Sequence, residues 1–481
     1  MKKILTFLLA ILMLLSVVAC AKANGQGNEN DNVDSAIEKI WDKKELDFDG
    51  YTFTILGKSI SGKVNAWDGS DLNAEEVTGN EVIDEVYNRN RLIEAKYNCI
   101  IRSEEAGEIK NVLMAGTDDD GSLISQSIKT TFGLVEAKLL MDLNSPELEH
   151  LDLDQPWYSQ TIQNDTEVAQ KLYFVNGDML FTDENATWVT LFNKELAERH
   201  CEGVNIYDEV RNGNWTLDKM MELATLATRE LVADDKMTYE DQWGIVGEAP
   251  NVAALVAASG RRYAEITADG GIQLNVYNRD FQNVYLKCCE TVDTRFSLLA
   301  TDIKGVASYF SAMDATFYEG RGLFMITSMD RALTFREMQT DFGILPLPKY
   351  NSAQPNHFTW TTYNVNVVSV PFYCEDPIRT SAIMEALFEE SSYHIKSAYI
   401  DKALKYQTTR DDESVEMIDI IMQNIVYDIG VVYDFGSTYS KLNDLVKNRN
   451  FGSVNSQLAK IETQANTAVE DLLINFGYKA G

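Results

Sequence analysis

Tyr51-Thr52-Phe53-Thr54-Ile55-Leu56, closed by Gly57, alternates apolar and polar residues over its first five positions. That period of two predicts a strand with one buried face. Downstream, Thr78-Gly79-Asn80-Glu81 has the form of a capping box. The helix it opens carries Val82, Val86, Ile93 and Tyr97 on one face, and Cys99 to Arg102 makes the next strand. Strand, helix and strand at this spacing predict βαβ units and an α/β sheet.

The alternation continues through the chain. Leu172 to Val175 is a short apolar strand stopped by Asn176-Gly177-Asp178, and Thr216 is placed to cap a helix starting at Leu217. Gly322 to Thr327, Asp341 to Leu345 and Tyr363 to Val370 are further strands. The second of these runs into Pro346-Leu347-Pro348, where regular structure must end. Asp376-Pro377 starts a helix with proline in its first turn. Near the C-terminus Val454, Leu458, Ile461, Ala465, Ala468 and Leu472 step by four and three, the mark of an amphipathic helix.

A chain of 481 residues is too long for one ordinary core, so two domains are expected. Its formal net charge is −32. No nucleic acid is expected as partner, because phosphate binding needs clustered Lys and Arg. The acidity reads as solubility.

Met1-Lys2-Lys3, the apolar run from Ile4 to Leu15, and Val17-Val18-Ala19-Cys20 have the layout of a secretory signal. The end of this segment resembles the lipobox of bacterial lipoproteins. The resemblance implies a signal peptide over 1–19, a diacylglycerol on Cys20, and a protein held on the outer side of the cell membrane or in the periplasm. Residues 20–47 are then lipidated Cys and flexible tether. Of six cysteines, Cys99, Cys201, Cys288, Cys289 and Cys374 remain, an odd number that argues against a full disulfide framework. Cys288 shares a helical stripe with Phe281, Tyr285 and Val292 and reads as a small core residue.

Gly79-Asn80-Glu81-Val82-Ile83-Asp84-Glu85-Val86-Tyr87-Asn88-Arg89-Asn90, Asn193-Lys194-Glu195-Leu196, Asn212-Gly213-Asn214-Trp215-Thr216-Leu217-Asp218, Gly320-Arg321-Gly322-Leu323-Phe324-Met325 and Asp341-Phe342-Gly343-Ile344-Leu345-Pro346-Leu347-Pro348-Lys349-Tyr350 follow in this order. Together they resemble the extracellular solute-binding proteins of ABC importers, family 1, the maltose-binding-like group. The resemblance implies an α/β, two-lobe periplasmic-binding-protein-like fold (type II), hinged, with a ligand cleft between lobes. Lobe one is expected over 48–160 plus 357–410, and lobe two over 161–356 plus 411–481. The implied protein is a monomer that hands a small solute to permease subunits and needs no cofactor. One departure concerns the Asp-rich segment Ala233 to Asp241, which lacks the glycine many relatives carry there, so no calcium site is expected.

Sugar recognition calls for flat aromatic faces against C–H surfaces and planar polar groups for hydroxyls. Trp67 with Asp68, Trp188 after Asp183, and Trp360 lie on loops at strand ends, where α/β sheets place ligands. Position in the family's fold adds Thr131, Asp330 with Arg331, and Tyr433 with Phe435. Trp215 and Trp243 read as packing residues, and Trp41 as lying near the tether.

No catalytic residue is assigned, and the chain is not expected to be an enzyme. It has neither a Gly-x-Ser-x-Gly elbow nor a His-Glu-x-x-His helix, and none of its four histidines is spaced as a metal pair. A carbohydrate or oligosaccharide is the expected cargo. Peptides or another polar solute, presentation to a sensor kinase, and a lipid-anchored glycan-active enzyme are the alternatives.

Overall fold

The alternating residues at Tyr51–Gly57 form the first of nine strands in the two larger sheets of the described residues. The structure, a computed structural model, describes residues 39–57, 71–116, 122–400, 405, 409 and 411–478. Cys20, Trp67 and Asp68 lie outside the described residues. In chain order the strands are β1 (Tyr51–Gly57), β2 (Cys99–Glu105), β3 (Leu123–Ser127), β4 (Trp188–Asn193), β5 (Trp243–Gly247), β6 (Ser297–Leu299), β7 (Gly322–Ser328), β8 (Phe342–Leu345) and β9 (Asn366–Ser369).

Sheet one has the order β9-β3-β1-β2, and sheet two the order β8-β4-β7-β5-β6. β1 runs parallel to both β2 and β3, as the βαβ reading requires, while β9 is antiparallel to β3. In sheet two β5 is parallel to β6 and β7, and β4 is antiparallel to β7 and β8. The chain therefore builds three strands of sheet one, then all of sheet two, and returns to close sheet one with β9.

Local chemistry explains where elements start. Helix α1 (Glu81–Tyr97) is capped by Asn80, whose side chain accepts from the Val82 and Ile83 amides. The cap thus falls two residues after Thr78. Thr78 instead accepts the Asn80 N–H on its hydroxyl, and the Asp84 carboxylate reaches back to the Thr78 and Gly79 amides. Asn98 ends α1 in the left-handed region at φ 47°. The strand expected at Leu172 to Val175 reduces to a single bridge between Val175 and Val368, because only that residue finds a backbone partner beside β9.

The two faces of β4 show how sheet two is covered. Trp188 and Phe192 enter one core with Trp215 and Phe324, while Val189 and Leu191 enter another with Met325 and Phe342. Every residue of β4 is buried, as expected for a strand packed on both sides. Helix α1 serves both halves of the molecule. Ile93 and Tyr97 pack with Phe53 and Ile55 of sheet one, whereas Val82 and Val86 join the core of Val189 and Leu191.

Helix α2 (Pro377–Tyr393) places three buried carboxylates beside sheet one's core. Trp157 Nε1 and the Tyr158 hydroxyl donate to Glu385 at 3.1 and 2.8 Å. The Trp41 amide donates to Glu389 at 2.9 Å and its indole N–H to Glu390 at 3.0 Å. Trp41 is only 3% exposed, so the body of the protein begins with it. The five described cysteines are free, and Cys288 packs among Phe281, Tyr285 and Val292.

Candidate ligand-binding site

Two of the segments linking the sheets, with a third beside them, bring the first group of candidate residues together. Thr187, just before β4, bridges to Thr361. Thr359–Trp360, on the way back to sheet one, pairs in parallel with Ile425–Val426. The Thr359 hydroxyl donates to the Trp188 carbonyl. Trp188 and Trp360 consequently meet, with ring centroids 5.6 Å apart and planes at 38°. Trp188 is 8% exposed, and its buried Nε1–H has no partner among the described residues. Burying such a donor unpaired costs about 1–3 kcal/mol, so a bound acceptor would be stabilised there.

Trp188 stands opposite Ser328, the last residue of β7. This is the edge where parallel strands β5 and β7 finish, the usual place for a ligand in an α/β sheet. Two residues on, Asp330 accepts the Ser328 hydroxyl, and Arg331 is ion-paired with Asp314. Burial raises the Asp314 carboxyl above its ordinary range, and Arg331 opposes that rise. Asp183 lies in the short helix Thr182–Ala186 that leads to Trp188.

A second group forms at the matching end of sheet one. Ser127 ends β3 and caps the helix Ile128–Glu136 by accepting from the Thr130 amide. Thr131 is fully buried, and its hydroxyl donates to the Ser127 carbonyl at 3.0 Å. Its neighbour Phe132 lies 3.6 Å from the Tyr433 ring, centroid to centroid, and Tyr433 stacks on Phe435 at 5.1 Å and 17°. Phe435 is buried in the core shared with Ile128 and Phe132. The Tyr433 hydroxyl is buried without a partner among the described residues, and burial drives its pKa well up, so it remains a neutral donor.

Two pairs of candidates touch each other, Trp188 with Trp360 and Tyr433 with Phe435, whereas Asp330, Arg331 and Thr131 contact Ser328, Asp314 and Ser127. Two polar groups had no place in the sequence reading. Ser125 Oγ and Gln126 Nε2, both on the last three residues of β3, are buried and lack partners among the described residues. Polar residues inside a strand otherwise apolar at Leu123-Ile124 were the available signal.

Among the described residues no group of His, Cys, Asp and Glu is arranged to hold a metal ion. In the acidic segment 233–241, Asp241 instead accepts the amides of Leu231, Val232 and Thr238. These contacts hold its carboxyl below the ordinary range against the raising effect of burial. No described helix is long and apolar enough to cross a membrane.

No protein-family model and no curated protein matches the chain. Solved structures do match. An ABC substrate-binding protein from Listeria monocytogenes in complex with cycloalternan is 14% identical, with 90% of this chain and 100% of that one covered, at a TM-score of 0.52. A cyclo/maltodextrin-binding protein complexed with maltotetraose is also 14% identical, with 88% and 96% covered and a TM-score of 0.55. A family 1 extracellular solute-binding protein from Bifidobacterium longum subsp. infantis is 11% identical, with 89% and 99% covered and a TM-score of 0.52. The chain has the two-lobed α/β periplasmic-binding-protein-like fold, in the form that family 1 solute-binding proteins take.

Proposed function

We propose that this chain is an extracellular solute-binding receptor of an ABC importer, with a carbohydrate as its cargo and a lipid on Cys20 as its anchor. It acts as a monomer and makes no covalent bond to the solute. Lobe one comprises 48–160 plus 357–410, and lobe two 161–356 plus 411–481. Closure of the lobes about the solute by hinge motion is then what the permease recognises.

The observation that carries this reading is the Trp188–Trp360 pair with its unpartnered indole N–H, set beside the segments that link the sheets. Aromatic faces and orphaned neutral donors are what a neutral polyhydroxylated solute needs. Two proteins of the same fold are described with cycloalternan and with maltotetraose, which supports a sugar over a peptide. In this arrangement Trp188 and Trp360 cover the apolar sugar surface. Gln126, the Tyr433 hydroxyl, Asp330 and Arg331 meet its hydroxyls, with Thr131 and Phe435 completing the cleft, and Trp67, Asp68 and Asp183 are kept as candidate ligand residues.

A thermal-shift comparison of oligosaccharides and peptides tests it. A true ligand at ~100 times its dissociation constant adds about 2.7 kcal/mol of stability. Stabilisation by a peptide and by no sugar rules out the carbohydrate cargo. Conversion of a glycan to products rules out a binding role alone.

A further inference from the structure

We propose that a cavity beside edge strand β6 is a second ligand site, separate from the cleft, for a neutral amphipathic molecule no larger than a disaccharide. The cavity measures about 450 Å³, within the range of about 300–1,000 Å³ typical of small-molecule sites. Among the described residues β6 pairs with β5 alone, and β7 and β5 lie between it and β4. At about 4.8 Å per strand, that places it about 14 Å from Trp188 across the sheet. It also reaches the opposite end of the strands. Trp243, which lines it, stands beside Gly322 at the start of β7, whereas Trp188 stands beside Ser328 at its finish.

The lining defines the guest. Trp243, Leu298 and Ile303 give it an apolar wall, and Tyr239, Thr294 and Ser297 contribute hydroxyl-bearing residues. The Trp243 indole N–H already donates to the Thr238 carbonyl at 2.6 Å, so the ring offers packing surface, not a donor. The Ser297 hydroxyl is buried without a partner among the described residues. Both charges on the wall are engaged. Arg449 holds Asp302 through two hydrogen bonds of 2.5 and 2.7 Å, and the Lys304 ammonium donates to the Thr301 carbonyl at 2.5 Å. A cation gains little from Asp302, which Arg449 already neutralises, and Lys304 is exposed, so solvent and salt screen its pull on an anion, whereas a neutral molecule with one apolar face fits the lining.

This proposal does not depend on the cargo of the cleft. It is tested with the mature protein by saturation-transfer NMR, using glucose, maltose and adenosine as neutral probes and glucose phosphate and aspartate as charged ones. A neutral probe is expected to saturate in the millimolar range. Thr294→Trp, an exposed position that would fill the cavity mouth, should weaken that binding at least tenfold, and Tyr239→Ala should weaken it as well. Circular dichroism checks that each variant folds. The site is refuted if no neutral probe saturates, if the charged probes bind equally well, or if both cavity variants bind as the parent does.

Discussion

The carbonyl of Trp188 accepts the hydroxyl of Thr359, the residue next to Trp360, and the two indole rings lie 5.6 Å apart. One side-chain-to-backbone hydrogen bond thus ties together two aromatic faces that come from distant parts of the chain. Trp188→Ala should therefore weaken carbohydrate binding at least tenfold, about 1.4 kcal/mol. Trp188→Phe separates packing from hydrogen bonding, since it keeps a ring and removes the unpartnered N–H. A net hydrogen bond is worth about 0.5–1.5 kcal/mol, so isothermal titration should show a smaller loss for Phe than for Ala. Equal affinity in Trp188→Ala and the parent would take Trp188 out of the site.

Trp41 joins the start of the body to helix α2 through Glu389 and Glu390. Truncating a buried tryptophan to alanine costs about 3–5 kcal/mol, and here it also leaves the Glu390 carboxylate without its indole donor. Trp41→Ala should lower the denaturant midpoint strongly. A chain beginning at residue 40 should be as stable as one beginning at residue 21, and a chain beginning at residue 48 should not. Equal midpoints for all three would show that Trp41 contributes nothing to the fold.

Much of the architecture was legible because it rests on local rules. The period of two at Tyr51–Gly57, the proline after Asp376 and the four-three stripe from Val454 each fixed an element that the structure contains. Thr216 caps its helix by accepting the Lys219 amide, as its position after Trp215 implied. Trp215 itself is fully buried, with its indole N–H on the Pro346 carbonyl. Strand pairing was not legible, because partners such as Val175 and Val368 are distant in sequence. The orphaned groups on Ser125 and Gln126 were hidden for a similar reason. A side chain lacks a partner only by virtue of everything that folds around it. Thr131 illustrates the converse, since its hydroxyl is occupied by the carbonyl four residues earlier.

The proposed lipid on Cys20 has a direct consequence for partitioning. Cys20→Ser removes the thiol that would carry the diacylglycerol, and with it the one covalent lipid of the proposal, while no described helix is long and apolar enough to cross a membrane. In fractionated cells the variant should move from membrane to soluble or secreted material, with ligand affinity unchanged. Retention of Cys20→Ser on the membrane would remove the anchor from the proposal.

Two buried groups make stability depend on pH with opposite signs. Burial pushes Glu385 up to about 7 from an ordinary 4.5, despite the donors Tyr158 and Trp157. The folded protein thus holds an extra proton between those values, and this group's contribution is full below pH 4.5 and lost as pH rises toward 7. Burial pushes His357 down to about 4 from 6.5, with its Nδ1–H on the Leu347 carbonyl at 3.0 Å. Here the unfolded chain binds the extra proton, so stability is lost as pH falls from 6.5 toward 4. The two slopes oppose each other across the same window. Glu385→Gln keeps an acceptor for Tyr158 and cannot ionise, so it should leave His357 unopposed and make stability rise more steeply with pH. His357→Gln should do the reverse, making stability fall as pH rises over that range. Urea midpoints measured across this window read both slopes. Identical pH profiles for both variants and the parent would show that neither group titrates between its folded and unfolded values.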